Sequence, residues 1–199
     1  MTPRLWKTFA VPGPPYCIDT SERRPTITGR HQEMHAMGMT TDSAPELQRD
    51  FTATIYWMKG NKLVPLRRSN AKDKFTWGIV PENNWLQTGG DQPSLTLDFE
   101  FHSKTEDRLH YMISRSSGLN MLGRSVNGYL GLYRVSEVTD YWKLEPLRRA
   151  SNGWVCHLRD HEGHVVKTWL DNPHFDNLTY HFLNTYEGND AEFLVVPTT

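Results

Sequence analysis

Two cysteines in 199 residues, Cys17 and Cys156, stand too far apart and too alone to form a disulfide framework. An excess of charge of one sign is also missing. The 22 basic and 23 acidic side chains leave a formal net charge of −1, which shows neither a nucleic-acid footprint nor a patch for anionic membranes. The basic pairs Arg23-Arg24, Arg67-Arg68 and Arg148-Arg149 are scattered, and read as solvated faces. No apolar run approaches the length of a transmembrane helix. The first seventeen residues, "MTPRLWKTFAVPGPPYC", are broken by charge and by Pro3, Pro12, Pro14 and Pro15, and make a poor signal peptide. A cytoplasmic or leaderless secreted protein is expected, and the sequon at Asn177–Thr179 is then incidental. Phosphate-cradling loops and a glycine-flanked nucleophile elbow are absent too. "GG" at 89–90 stands alone and reads as a turn.

Helical periodicity is nearly missing, and only 29–39 and 44–49 could form short helical turns. What is present is alternation. "FTATIYWM" (51–58), "SLTLDFEFH" (94–102), "LHYMIS" (109–114), "GYLGLYRV" (128–135), "YWKLEP" (141–146), "WVCHL" (154–158), "HVVKTWL" (164–170) and "LTYHFL" (178–183) all read as strands. In "SLTLDFEFH", Leu95, Leu97, Phe99 and Phe101 fall on one face. Short strands at fairly even spacing, with turn residues between them, predict an all-β barrel or sandwich. The length suits one β domain over 1–199, with an irregular, proline-rich N-terminal arm over about 1–50.

A repeat sharpens the expectation. "TWGIVP" (76–81), "YWKLEP" (141–146) and "EFLVVP" (192–197) each place an aromatic, then a branched apolar residue two later, then a proline two after that. A strand with its aromatic in the core, ended by a proline that cannot extend the ladder, accounts for each copy. A competing echo links "KLVPLRRSN" (62–70) to "KLEPLRRASN" (143–152), and the two cannot define one period.

The segment "LHYMISRSSGLNMLGRSVNGYLGLYRVSEVTDYWKLEPL" (109–147) resembles one unit of a β-trefoil of the ricin-B-like lectin or fungal trefoil type. Residues 154–197 resemble a looser unit, and the first unit would end at "TWGIVP" after a long insertion. The resemblance covers about residues 50–197. It implies three pseudo-repeated four-stranded units with Trp77, Trp142 and Phe193 in related core layers. A closed β-barrel of lipocalin type is the alternative fold.

Three loop clusters have the composition of a sugar site, in which an aromatic covers the apolar ring face and Asp or Asn takes the hydroxyls. They are "KTWLDNPHFDN" (167–177) with Trp169, Asp171, Asn172, His174, Asp176 and Asn177; "VNGYLGLY" (126–133) with Asn127, Tyr129 and Tyr133; and "VPENNWLQTGGD" (80–91) with Asn83, Asn84, Trp85 and Asp91. Metal chemistry is less well supported. His31 and His35 have i,i+4 spacing, but Glu33 lies midway between them and no third ligand follows. "RDHEGHVV" (159–166) gathers Asp160, His161, Glu162 and His164 around Gly163. It reads as a hairpin turn whose histidines are the natural pH-responsive groups. Cys156, alternating with Trp154 and Leu158, reads as a buried structural thiol.

The leading expectation is a non-enzymatic, lectin-like protein whose partner is a glycan or glycoprotein, with no cofactor, metal, nucleic acid or membrane. A β-trefoil protease inhibitor acting through exposed loops is the second reading. The third is a small-molecule enzyme, since nine histidines and seven tryptophans could line a pocket in a barrel.

Overall fold

Apolar alternation becomes strand throughout the described part of the chain. The computed structural model describes residues 39–69, 85–90, 93–116, 120–134, 140–171 and 180–198. All of these belong to one compact unit, Met37–Thr199. The strands are β1 (Phe51–Lys59), β2 (Lys62–Arg68), β3 (Leu86–Thr88), β4 (Thr96–Lys104), β5 (Leu109–Arg115), β6 (Asn120–Arg124), β7 (Leu130–Arg134), β8 (Trp142–Ala150), β9 (Gly153–Arg159), β10 (Lys167–Asp171), β11 (Tyr180–Asn184), β12 (Asn189–Asp190) and β13 (Phe193–Thr198). The protein is all-β. Among the described residues the only helical pieces are two 3₁₀ turns, Thr41–Ser43 and Pro45–Leu47.

All strand pairings among the described residues are antiparallel. Six of them form a cycle of neighbours: β1 pairs β4, β4 pairs β5, β5 pairs β8, β8 pairs β9, β9 pairs β13, and β13 pairs β1. Side chains alternate across each strand, so the cycle turns one face inward. Ala53, Ile55 and Trp57 of β1, Leu97 and Phe99 of β4, Leu109, Tyr111 and Ile113 of β5, Trp142 and Leu144 of β8, Trp154, Cys156 and Leu158 of β9, and Phe193 and Val195 of β13 make one buried cluster. Each fully buried large apolar side chain contributes about 1.5–3 kcal/mol. Rings organise part of this cluster: Phe51 stacks on Phe99 at 4.6 Å, and Tyr111 meets both edge-on.

The other strands leave the cycle as hairpins β2–β3, β6–β7 and β10–β11. The hairpins also bond to one another. β3 pairs with β11, Trp85 just before β3 bridges Gly131 of β7, and Tyr129 bridges Asn184 of β11. Where they meet, Trp85 and Tyr129 stack with ring centres 4.8 Å apart and planes 1° from parallel. Phe182 presents its ring edge-on to both. Gly128 makes the junction feasible. Its φ of +83° favours glycine, and a Cβ there would come within 2.6 Å of Asn184 Oδ1.

Residues 41–48 close the opposite end, where the β4–β5 and β8–β9 turns lie. Ala44 and Leu47 are fully buried in the core cluster. The Tyr111 hydroxyl donates to the Leu47 carbonyl, and the Trp154 indole donates to Glu46 Oε1 at 2.9 Å. Thr41 donates to the carbonyls of Glu106 and Thr105 through its backbone and hydroxyl. Part of the stretch expected to be irregular is therefore built into the fold.

Several sequence expectations change. Pro146 does not end its strand. β8 runs on to Ala150 because a register shift between Pro146 and Arg148 absorbs the missing donor. Pro197 is likewise followed by Thr198 within β13. "TWGIVP" with Trp77 lies outside the described residues. The 81-residue echo does not mark equivalent strands: "KLVPLRR" is hairpin strand β2, while "KLEPLRR" belongs to cycle strand β8. Arg67 is not a solvated residue. It is 4% exposed, and its Nε donates to the Gly89 carbonyl at 2.6 Å.

Candidate functional site

The strongest candidate site is a hollow of ≈ 180 Å³ on the flank of the β6–β7 hairpin. Four stretches make it: Leu122–Arg124 of β6, Tyr133 of β7, Asp140–Trp142 at the start of β8, and His161 from the β9–β10 turn. Trp142 forms its floor. Its indole donates to the Leu122 carbonyl at 2.8 Å, which ties β8 to β6. Gly131 lets the Tyr133 ring lie flat along the strand, since a Cβ there would meet that ring at 3.0 Å. Tyr141 is steadied from behind by His102, with ring centres 3.9 Å apart and planes 8° from parallel.

Charge is concentrated at the rim. His161 Nδ1 lies 3.4 Å from Asp140 Oδ2, and its Nε2 lies 3.8 Å from Glu162 Oε1. Lys143 Nζ donates to the His161 carbonyl at 2.5 Å, which anchors the turn to β8. Arg124 Nη1 reaches Asp160 Oδ2 at 2.5 Å and Glu162 Oε2 at 2.8 Å, with its guanidinium 5.1 Å from the Tyr186 ring centre.

Asp160 is the hub, only 1% exposed. Its Oδ1 accepts the backbone N–H groups of Gly163 and His164, each at 2.8 Å, and its Oδ2 lies 3.0 Å from His164 Nδ1. Burial pushes its carboxyl up, but the His164 hydrogen bonds and the Arg124 charge outweigh this and hold it below the ordinary aspartate value. A hydrogen bond to Glu162 raises the Arg124 guanidinium further, and the same contact lowers Glu162. Asp160, Glu162 and His164 bring ligand atoms within 4.8 Å of one another, as a cation site would. Here the guanidinium of Arg124 lies against two of these carboxylates, and with His164 they form an ion-pair network.

The residues singled out in the sequence separate in the structure. Tyr133 lines the hollow. Trp85 and Tyr129 are engaged with each other where the hairpins meet. Asn127 is exposed at the β6–β7 turn, and its carbonyl accepts from Asn184 Nδ2 at 3.1 Å. Trp169, 38% exposed, stands on β10 opposite Phe182, and Asp171 ends that strand opposite Tyr180. Asn172, His174, Asp176 and Asn177 lie outside the described residues, as do Asn83, Asn84, Asp91, His31, His35 and Cys17. Cys156 is fully buried, and burial raises its thiol far above the ordinary value.

Sequence reasoning missed Asp140, Tyr141 and Arg124. The first two directly precede a core tryptophan, and Arg124 carries no local signal at all. "RDHEGHVV" was the visible pointer, and it is the hairpin turn expected, with Asp160 N donating to the His164 carbonyl at 3.0 Å. No protein-family model, curated protein or solved structure matches the chain.

Proposed function

We propose that the chain is a β-trefoil protein that binds carbohydrate, without catalysis, at the hollow beside Asp140 and His161. Support for the trefoil comes from the pairing order. Units β1–β4, β5–β8 and β9–β13 each give two strands to the cycle and one hairpin to the junction at its end, with β12 as a short addition. In an up-and-down barrel, successive strands would be neighbours around the ring. Here β2–β3, β6–β7 and β10–β11 stand off it, which favours the trefoil.

The observation that carries the carbohydrate reading is the meeting of Tyr133 and Tyr141 with Asp140 and His161 around one small hollow. An aromatic face, a carboxylate acceptor and an imidazole are what a sugar's apolar face and vicinal hydroxyls require. The hollow is smaller than the roughly 300–1,000 Å³ of sites for drug-sized ligands, so it suits one terminal ring of a glycan. The interior is filled by Trp154, Tyr111, Phe99 and Phe193, which speaks against a reaction chamber within the strand cycle.

The test is a glycan array probed with wild-type protein, Asp140→Ala and Trp169→Ala. Asp140→Ala is expected to weaken binding about tenfold or more, the effect of losing a charged hydrogen-bond acceptor. Loss in Trp169→Ala alone would move the site to the β10–β11 loop. An empty array, combined with tight inhibition of a serine or cysteine protease, would replace this reading with the loop-inhibitor one.

A further inference from the structure

We propose that the hollow is a proton-linked site, in which protonation of His161 and occupancy by a sugar oppose each other through Asp140. The inference rests on the carbohydrate reading above and concerns how that same site is regulated.

Two groups carry it. His161 Nδ1 stands 3.4 Å from Asp140 Oδ2, and both residues line the hollow. A neutral imidazole leaves the Asp140 carboxylate available to accept sugar hydroxyls. An imidazolium at that distance holds the carboxylate as an ion pair, and histidine changes charge within the physiological range. A sugar that takes Asp140 must break this pair, so binding favours the deprotonated imidazole and acid favours release.

The surrounding charges leave Asp140 as the partner. On the same turn, Glu162 is 3.8 Å from His161 Nε2, but its other oxygen is held at 2.8 Å by Arg124. Asp160 is enclosed by Arg124, His164 and two backbone N–H groups. His164 faces Asp160 and Glu162, at 3.0 and 3.3 Å. From β8, Lys143 spends its contact on the His161 carbonyl rather than the ring. From β6, the positive charge of Arg124 is matched by two carboxylates. β7 contributes Tyr133, and Tyr141 before β8 brings His102 of β4 stacked behind it. Of the acids near His161, Asp140 alone lacks a second cation within 4 Å among the described residues.

Both partners are partly exposed, 36% and 59%, so the linkage is modest, about threefold in affinity. The measurement is a neutral-glycan array probed at about pH 7.5 and about pH 5, either side of histidine titration. Wild-type signals are expected to fall about threefold at the lower pH. His161→Gln is expected to abolish that ratio, and His164→Gln to preserve it. Equal wild-type signals at both pH values, or a ratio that survives His161→Gln, overturn the proton linkage and leave the carbohydrate reading standing. No bound glycan at either pH overturns both. A fall in signal that coincides with loss of near-ultraviolet circular dichroism also overturns the linkage, because unfolding then accounts for it.

Discussion

The two ends of the strand cycle are closed in opposite ways. At one end, three hairpins from different parts of the chain bond to one another, with Trp85 stacked on Tyr129 and Phe182 edge-on to both where they meet. At the other, among the described residues, the short segment 41–48 closes the end, with Ala44 and Leu47 in the core and Glu46 linked to Arg149 and Trp154. The first closure is shared among many backbone bonds and several rings. The second depends on a few side chains of one short segment, so single substitutions there should matter more.

Leu47→Ala tests that contrast most severely. Removing a fully buried leucine costs about 3 kcal/mol, and should lower the melting temperature by about 10 °C. An unchanged thermal melt would mean that the segment merely rests on the cycle. Asp160→Asn probes the hairpin flank, where a buried charge network ties the β9–β10 turn to Arg124. A loss of about 2 kcal/mol is expected in chemical denaturation, less than for a wholly buried pair because an amide oxygen still accepts from Gly163 and His164.

At the hairpin junction, a double-mutant cycle of Trp85→Leu and Tyr129→Leu should give a coupling of about 1 kcal/mol, the worth of a stacked pair beyond its buried area. Additive effects would show that the stack is incidental to the closure. The smallest effect belongs to Glu46→Gln, which keeps an acceptor for the Trp154 indole but removes the ion pair with the exposed Arg149. About 0.5 kcal/mol is expected at neutral pH. Burial raises the Glu46 carboxyl, but its own backbone hydrogen bond, the indole and Arg149 together hold it below the ordinary value of 4.5. A depressed carboxyl stabilises the fold above its unfolded value and loses that contribution as pH falls through the folded one. The difference between variant and wild type should therefore shrink toward zero in acid, and a difference that grew there would contradict the assigned contacts.

How legible these features were in the sequence depended on what each segment packs against. Cycle strands such as β4 and β5 have one face in the core, so "SLTLDFEFH" and "LHYMIS" announce themselves by alternation. Hairpin strands pack on one another, and their patterns are less regular. β3 buries Gln87 and Thr88 beside Leu86, β2 buries Arg67, and β6 carries a glycine within five residues, so none of the three read as strand. The 41–48 segment hides behind polar letters because only Ala44 and Leu47 meet the core. The hollow was the hardest feature to read, since its walls come from residues near 123, 133, 141 and 161, which only the folded chain brings together. The aromatics of the expected loops were visible but carried no sign of direction. Trp85 and Tyr129 turn toward each other, while Tyr133 turns toward the hollow.

The cyclic pairing of β1, β4, β5, β8, β9 and β13 also limits how this protein can be recognised. A strand whose two sides are both bonded offers no row of open backbone groups, so neither a peptide nor a second chain can join the cycle by extending it. The ends of the described strand path are β12 and β7, two and five residues long. Among the described residues, side chains on turns and hairpin flanks are therefore the surfaces a partner can meet without disturbing the strands beneath.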